Sequence, residues 1–246
     1  MRNWDIVELA ERFWSLAGCR ESFPRSLETP LSWALPVALI KLPRLEVSSL
    51  TEWLDRQGIV PPFTVAYRCL RACLVARAGY GMIFLNGSDS EDERRFSLAH
   101  EISHFMLDYW QPREHALSVL GSGIQDVLDG RRPPTSKERL GGLFQSVSWQ
   151  TFTHLMDRSP SGQVEHLRIL DSEDRADRLA LELLAPRATV ISRLQTVQWK
   201  ESFAHDQVVE TLQQEFGLPG TVAREYGRML VMSQRPARSF KKWLNG

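Results

Sequence analysis

Cysteine is scarce in this chain, with Cys19, Cys69 and Cys73 making up the whole set. Three thiols, an odd count, cannot form the paired framework that staples small secreted domains. They read as buried, reduced thiols. Cys69 and Cys73 have the spacing of a metal pair, but no second Cys or His pair stands at finger-like spacing to complete it. An excess of charge of either sign is also missing. Thirty Lys plus Arg balance 30 Asp plus Glu, for a formal net charge of +0. That balance argues against a global electrostatic grip on nucleic acid and leaves room only for a local basic patch. Long apolar runs are absent as well. The longest, "LSWALPVALIKL" at 31–42, is broken by Pro36, contains Lys41 and is too short to span a bilayer. The opening "MRNWDIVELAERFW" is amphipathic and acidic, unlike a secretory leader. The expected location is the cytoplasm.

What is present is an ordinary globular composition, 43% hydrophobic and 24% charged over 246 residues, enough for a sizeable core. Apolar residues at helical spacing predict a helix over 5–17. "CRESFPRSLETPLSW" reads as a loop. A short helix follows over 49–57, with Ser49 as a candidate N-cap and Gly58 as a stop. Pro61 and Pro62 break the chain after it. "RCLRACLVAR" at 68–77 and "GYGMIFLNG" at 79–87 read as two strands that pair. The acidic "SDSEDERR" at 88–95 leads into a helix over 94–110, since acids suit a helix N-terminus. Residues 111–171 read as an insertion with short helices near 115–129, 137–157 and 163–169. A strong helix covers 172–186 and stops at Pro186. Helices near 205–216 and 221–233 flank "GLPG", and a basic tail, "RPARSFKKWLNG", closes the chain. The implied organisation is an N-terminal helical region (1–60), a core with its insertion (61–190), and a C-terminal helical region (191–246).

Two of these helices carry chemistry. On the first, Leu98, Ile102, Phe105, Met106 and Tyr109 fall on one side, and His100, Glu101, His104 and Asp108 on the other. Histidines at i and i+4 point the same way, one turn apart. Two neutral imidazoles so placed can ligate one Zn²⁺, and the glutamate beside them can polarise a water molecule. On the second helix, Glu173 and Asp177 interrupt the stripe formed by Ala176, Leu179, Ala180, Leu183 and Leu184. A carboxylate buried in such a stripe costs several kcal/mol unless it is paired or bound to a metal. Glu173 is thus the expected third ligand; the alternative is that Glu173 or Asp177 lies at the helix start and is solvated, or pairs with an arginine. Asp177 is expected to hold the outer ring nitrogen of a ligand histidine. The fourth position would stay open, as in a catalytic site. An oxyanion donor is needed too. Tyr109, His115, His154, His166 and Tyr226 all qualify by chemistry, and the sequence selects none of them.

"GMIFLN…RRFSLAHEISHFML" followed by "EDRADRLALELLAP" resembles the ImmA/IrrE family of zinc metallopeptidases, closely over about 81–110 and 172–186 and loosely elsewhere. The resemblance implies an α+β fold, a small mixed β-sheet packed against a mainly helical body that carries the HExxH helix. It makes His100, His104 and Glu173 the zinc ligands and Glu101 the catalytic residue. Asp177 falls where the family has Asn or Asp. The activity implied is peptide-bond hydrolysis of a protein substrate, a DNA-binding repressor or other regulatory partner, in regulation or stress response. Two departures are mild: Ser103 stands where the family has Gly, and Arg175 replaces an acid. The 69 positions from His104 to Glu173 are more than the family leads one to expect. Two other readings stand beside this one. In the first, a zinc-containing protein sequesters a partner without cutting it. In the second, a regulator binds DNA through the helix–turn–helix-like segment at 208–230.

Overall fold

The computed structural model describes residues 5–60, 68–144, 151–157, 167–194 and 204–234. The break at Pro61–Pro62, the stretch 158–166 with His166, and the basic tail from 235 lie outside them. The chain forms two compact units, one of residues 1–21 and 26–183, the other of residues 22–25 and 184–246.

The first unit is built on a four-stranded sheet. Strands β1 (Val37–Leu42), β2 (Leu70–Arg77), β3 (Tyr80–Asn86) and β4 (Phe152–Asp157) lie in the order β1-β3-β2-β4. β1 runs parallel to β3, and the β2 pairings with β3 and β4 are antiparallel. The sheet is therefore mixed and the fold α+β. The pairing of 68–77 with 79–87 is as expected. The turn between them uses Ala78 and Gly79, both at positive φ. β4 corrects the sequence reading, which placed a helix over 137–157. The helix there, α7 (Ser136–Phe144), is short, and the chain re-enters as an edge strand. The polar-interrupted "FTHLMD" carries no helical stripe, and its extended form comes from pairing with β2. "SLETPLSW", read as loop, falls largely in helix α2 (Glu28–Ala34), which buries Pro30, Leu31 and Ala34.

Alternation assigns the two faces of the sheet. Cys73, Val75 and Phe84 pack with Leu50 and Leu54 of α3 (Val47–Arg56), and Trp53 meets Phe84 edge-on at 5.0 Å. Fully burying a phenylalanine such as Phe84 contributes about 1.5–3 kcal/mol. Glu46, not Ser49, is the N-cap of α3, and Ser49 at the third helical position answers it in a reciprocal capping box. The opposite face carries Ala72, Leu74, Ala76, Gly81, Ile83 and His154 in register. It packs on α4 (Glu91–His104), which begins with Glu91, Asp92 and Glu93 in its first turn. A Cβ at Gly81 would stand 2.8 Å from the Phe105 ring, so glycine is what lets the helix come this close.

The helix does not stop at 110. A π-helical segment, Phe105–Trp110, joins α4 to α5 (Gln111–Leu120). Gly121 ends α5, so the expected helix over 115–129 is broken there and continues as a 3-10 turn and α6 (Gln125–Leu128). A buried Arg113–Asp129 ion pair ties this segment together. Of the thiols, Cys73 alone is buried, and burial pushes it well up; Cys19 and Cys69 are exposed. Four residues on a strand span about 13 Å, so Cys69 and Cys73 do not converge as a helical pair would.

In the second unit, α10 (Ala204–Gln214) and α11 (Gly220–Gln234) form a hairpin, with α9 (Arg187–Arg193) before it. Gly227 lets the two helices meet closely; a Cβ there would stand 3.1 Å from Val209. Tyr226 donates to the Ala185 carbonyl at 3.2 Å, and Phe23 meets Phe216 edge-on.

Candidate metal centre

The last long helix of the first unit, α8, runs Leu167–Leu184 and lies across from α4. Together with β4, these elements place four donors in one cluster. Ligand atoms of His100, His104, His154 and Glu173 all lie within 4.8 Å of one another. His100 Nε2 and His104 Nε2 are 3.1 Å apart. Glu173 stands 3.3 Å from His100 Nε2 through Oε2 and 3.6 Å from His104 Nε2 through Oε1. Donors bound to one zinc ion at 2.0–2.1 Å would stand about 3.3–3.4 Å apart at the tetrahedral angle. The spacing and the nitrogen-and-carboxylate chemistry of this set fit a divalent ion.

The outer nitrogens are anchored. His100 Nδ1 meets Asp177 Oδ1 at 2.8 Å, and His104 Nδ1 meets Asp108 Oδ2 at 2.7 Å. Ser172 Oγ also donates to Asp108, at 2.9 Å. A carboxylate on Nδ1 fixes its proton there and leaves the Nε2 lone pair pointing inward. Asp108 had a signal in the sequence, since it follows His104 by one turn on the same helix face.

α4 is buried more completely than its wheel suggests. Every residue from Phe96 to Leu107 is buried, Glu101 at 0% exposure. The apolar side lies on the sheet, and the imidazole side lies beneath α8 and β4. The premise of buried acids on α8 is corrected in turn. The Glu173 side chain is 37% exposed and that of Asp177 is 52% exposed. They are partly open to solvent rather than set in a core, so desolvation does not force an ion on them. Their case rests on where they point.

Charge couples the cluster tightly. Burial lowers the His100 pKa, but its hydrogen bonds to the Asp177 and Glu173 carboxylates outweigh it, and the group is raised to about 9. Burial also lowers His154, and the Glu101 charge with the Glu101 and Glu173 hydrogen bonds lifts it to about 10. Burial pushes Glu173 up, yet hydrogen bonds from His100, His104 and His154 hold it far below the usual carboxylate range.

Among the five oxyanion candidates, His154 lies in the cluster. Its ring stacks on His104 at 3.7 Å. Nδ1 contacts both Glu101 oxygens, at 3.0 and 3.1 Å, and Nε2 contacts Glu173 at 3.1 Å. Tyr109 is occupied elsewhere, its hydroxyl accepting the Gly79 N–H at 2.7 Å. His115 sits on α5, outside the four-donor group. Tyr226 is engaged within the second unit.

Residues 63–118 match the model of the IrrE N-terminal-like domain, a peptidase family. The resemblance stated on the motifs holds over that segment. It includes His100, Glu101 and His104 and stops short of β4 and α8. No curated protein matches the chain. No helix among the described residues is long and apolar enough to cross a membrane.

Proposed function

We propose that the chain is a zinc-dependent endopeptidase that cuts a protein substrate, with a DNA-binding repressor or similar regulator as the substrate class the family implies. The observation that carries this reading is the convergence of His100, His104 and Glu173 beside a wholly buried Glu101. His100 and His104 would hold the ion through Nε2, Glu173 through its carboxylate, and Asp177 and Asp108 would keep the two rings in the ligating tautomer. The ion would polarise the scissile carbonyl and acidify a water molecule.

The remaining work falls to the chain. Glu101 takes a proton from water at its carboxylate and returns it to the leaving amine. Its burial keeps bulk water from competing for that proton and strengthens every charge interaction around it. Glu173 and Asp177, both partly exposed, mark the side from which a peptide would approach.

The test uses the zinc-loaded full chain and any DNA-binding regulator found to be encoded by an adjacent gene. A defined fragment that fails to form with Glu101→Gln, while zinc content stays the same, is the expected result. A stable complex with the regulator intact would favour the sequestering reading instead. A salt-dependent shift of duplex DNA would favour the DNA-binding one.

A further inference from the structure

Three histidines in this unit share one arrangement. His100 sets Nδ1 on Asp177, His104 sets Nδ1 on Asp108, and His154 sets Nδ1 on Glu101. All three turn Nε2 toward Glu173, at 3.3, 3.6 and 3.1 Å. A carboxylate on one ring nitrogen and a shared focus for the other is the signature of a ligating imidazole. His154 satisfies it as fully as the two histidines of the helix.

We propose that His154 is a fourth ligand of the ion and Glu101 its outer partner, so that the arrangement described here is a closed resting form of the site. This rests on the metallopeptidase reading above. A catalytic zinc site keeps one position open, whereas four protein ligands close it. In the closed form the position a substrate carbonyl or water needs is filled by an imidazole. Glu101, wholly buried, is engaged with that imidazole and has no access to water. Opening requires His154 to swing away, which frees the fourth position and Glu101 in one movement. The strand that carries it suits such a release. Among the described residues β4 is an edge strand paired on one side only, to β2, and its six residues are all partly exposed. Edge strands open at lower cost than central ones because fewer contacts hold them. A protein that displaces β4 would convert the resting form into the active one.

The ligand set can be counted directly. X-ray absorption at the zinc edge of the loaded wild-type chain should show three imidazoles; two would overturn the proposal and leave the metallopeptidase reading standing. Chelator competition with His154→Ala should show zinc affinity reduced about tenfold or more, since loss of a mere outer partner already costs about 10–100-fold. The visible spectrum of the cobalt-loaded variant should also shift away from four-coordinate wild type. Peptide hydrolysis by His154→Ala should rise above wild type, because the fourth position is opened. Unchanged affinity and spectrum with hydrolysis lost would make His154 a carbonyl-polarising group and defeat the proposal. Glu173→Ala separates the two levels: if wild type and this variant both fail to hold zinc, the metal reading itself falls and takes the proposal with it.

Discussion

Helix α4 and strand β4 deliver imidazoles to the same point by opposite means. α4 brings His100 and His104 as a rigid pair, one turn apart, on a segment buried from Phe96 to Leu107. β4 brings His154 singly, from the rim of a sheet, on residues that all keep some contact with solvent. Geometry on the helix is set by its own periodicity. On the strand it is set by register, with Leu74 opposite His154 fixing which face the ring takes. The site thus combines a half fixed within one helix and a half held through pairing to a neighbouring strand.

The largest expected effect lies on the fixed half. Glu101→Gln should lower hydrolysis by roughly 10²–10⁴-fold, the usual contribution of a general base, with zinc content unchanged. Steady-state kinetics alongside metal analysis would check this, and retained turnover would remove the helix from its leading place. Next comes the anchor from α8. Asp177→Ala should weaken zinc binding by about 10–100-fold, read by chelator competition. If it does not, the 52% exposed carboxylate is a bystander and His100 is oriented by packing alone. The seam between helix and sheet comes third. Gly81→Ala forces a Cβ to 2.8 Å from Phe105, and overpacking of this kind costs about 1–3 kcal/mol, seen as a lower Tm.

The last effect, seen only once metal is removed, is a pH trend in the metal-free chain. His100 is raised to about 9 and His154 to about 10, against an ordinary value of about 6.5. Raised groups add stability that is complete below about pH 6.5 and is lost as pH climbs through the folded values. Chelated protein should therefore melt lower as pH rises from about 7 to about 10. Bound zinc competes with those same protons, so the loaded chain should not share the decline.

The same contrast explains what the sequence disclosed. The helix pair was legible because its determinants are local: an i, i+4 histidine pair, acids in the first turn, and a carboxylate pair on α8 with the same period. Glu173 and Asp177 meet His100 as their spacing suggests, although the burial used to argue for them is absent. The sheet centre was legible from the glycine-bounded "GYGMIFLNG". β4 was not, because "FTHLMD" has no alternation and becomes a strand only beside β2. Reading 137–157 as a helix took His154 out of the site and left it one of five unranked candidates. α2 was hidden for a related reason, its short length and internal Pro30 masking a helix held by tertiary burial.

The π-helical stretch Phe105–Trp110 has a bearing on how the chain tolerates changes in length. A π turn houses one residue more than an α turn while the helix beyond keeps its heading. This stretch is in effect a slack loop of thread between the histidine helix and α5. Excising one residue there would let ordinary winding take up the difference, with Arg113 still meeting Asp129. The same excision anywhere between His100 and His104 would turn one imidazole away from the other.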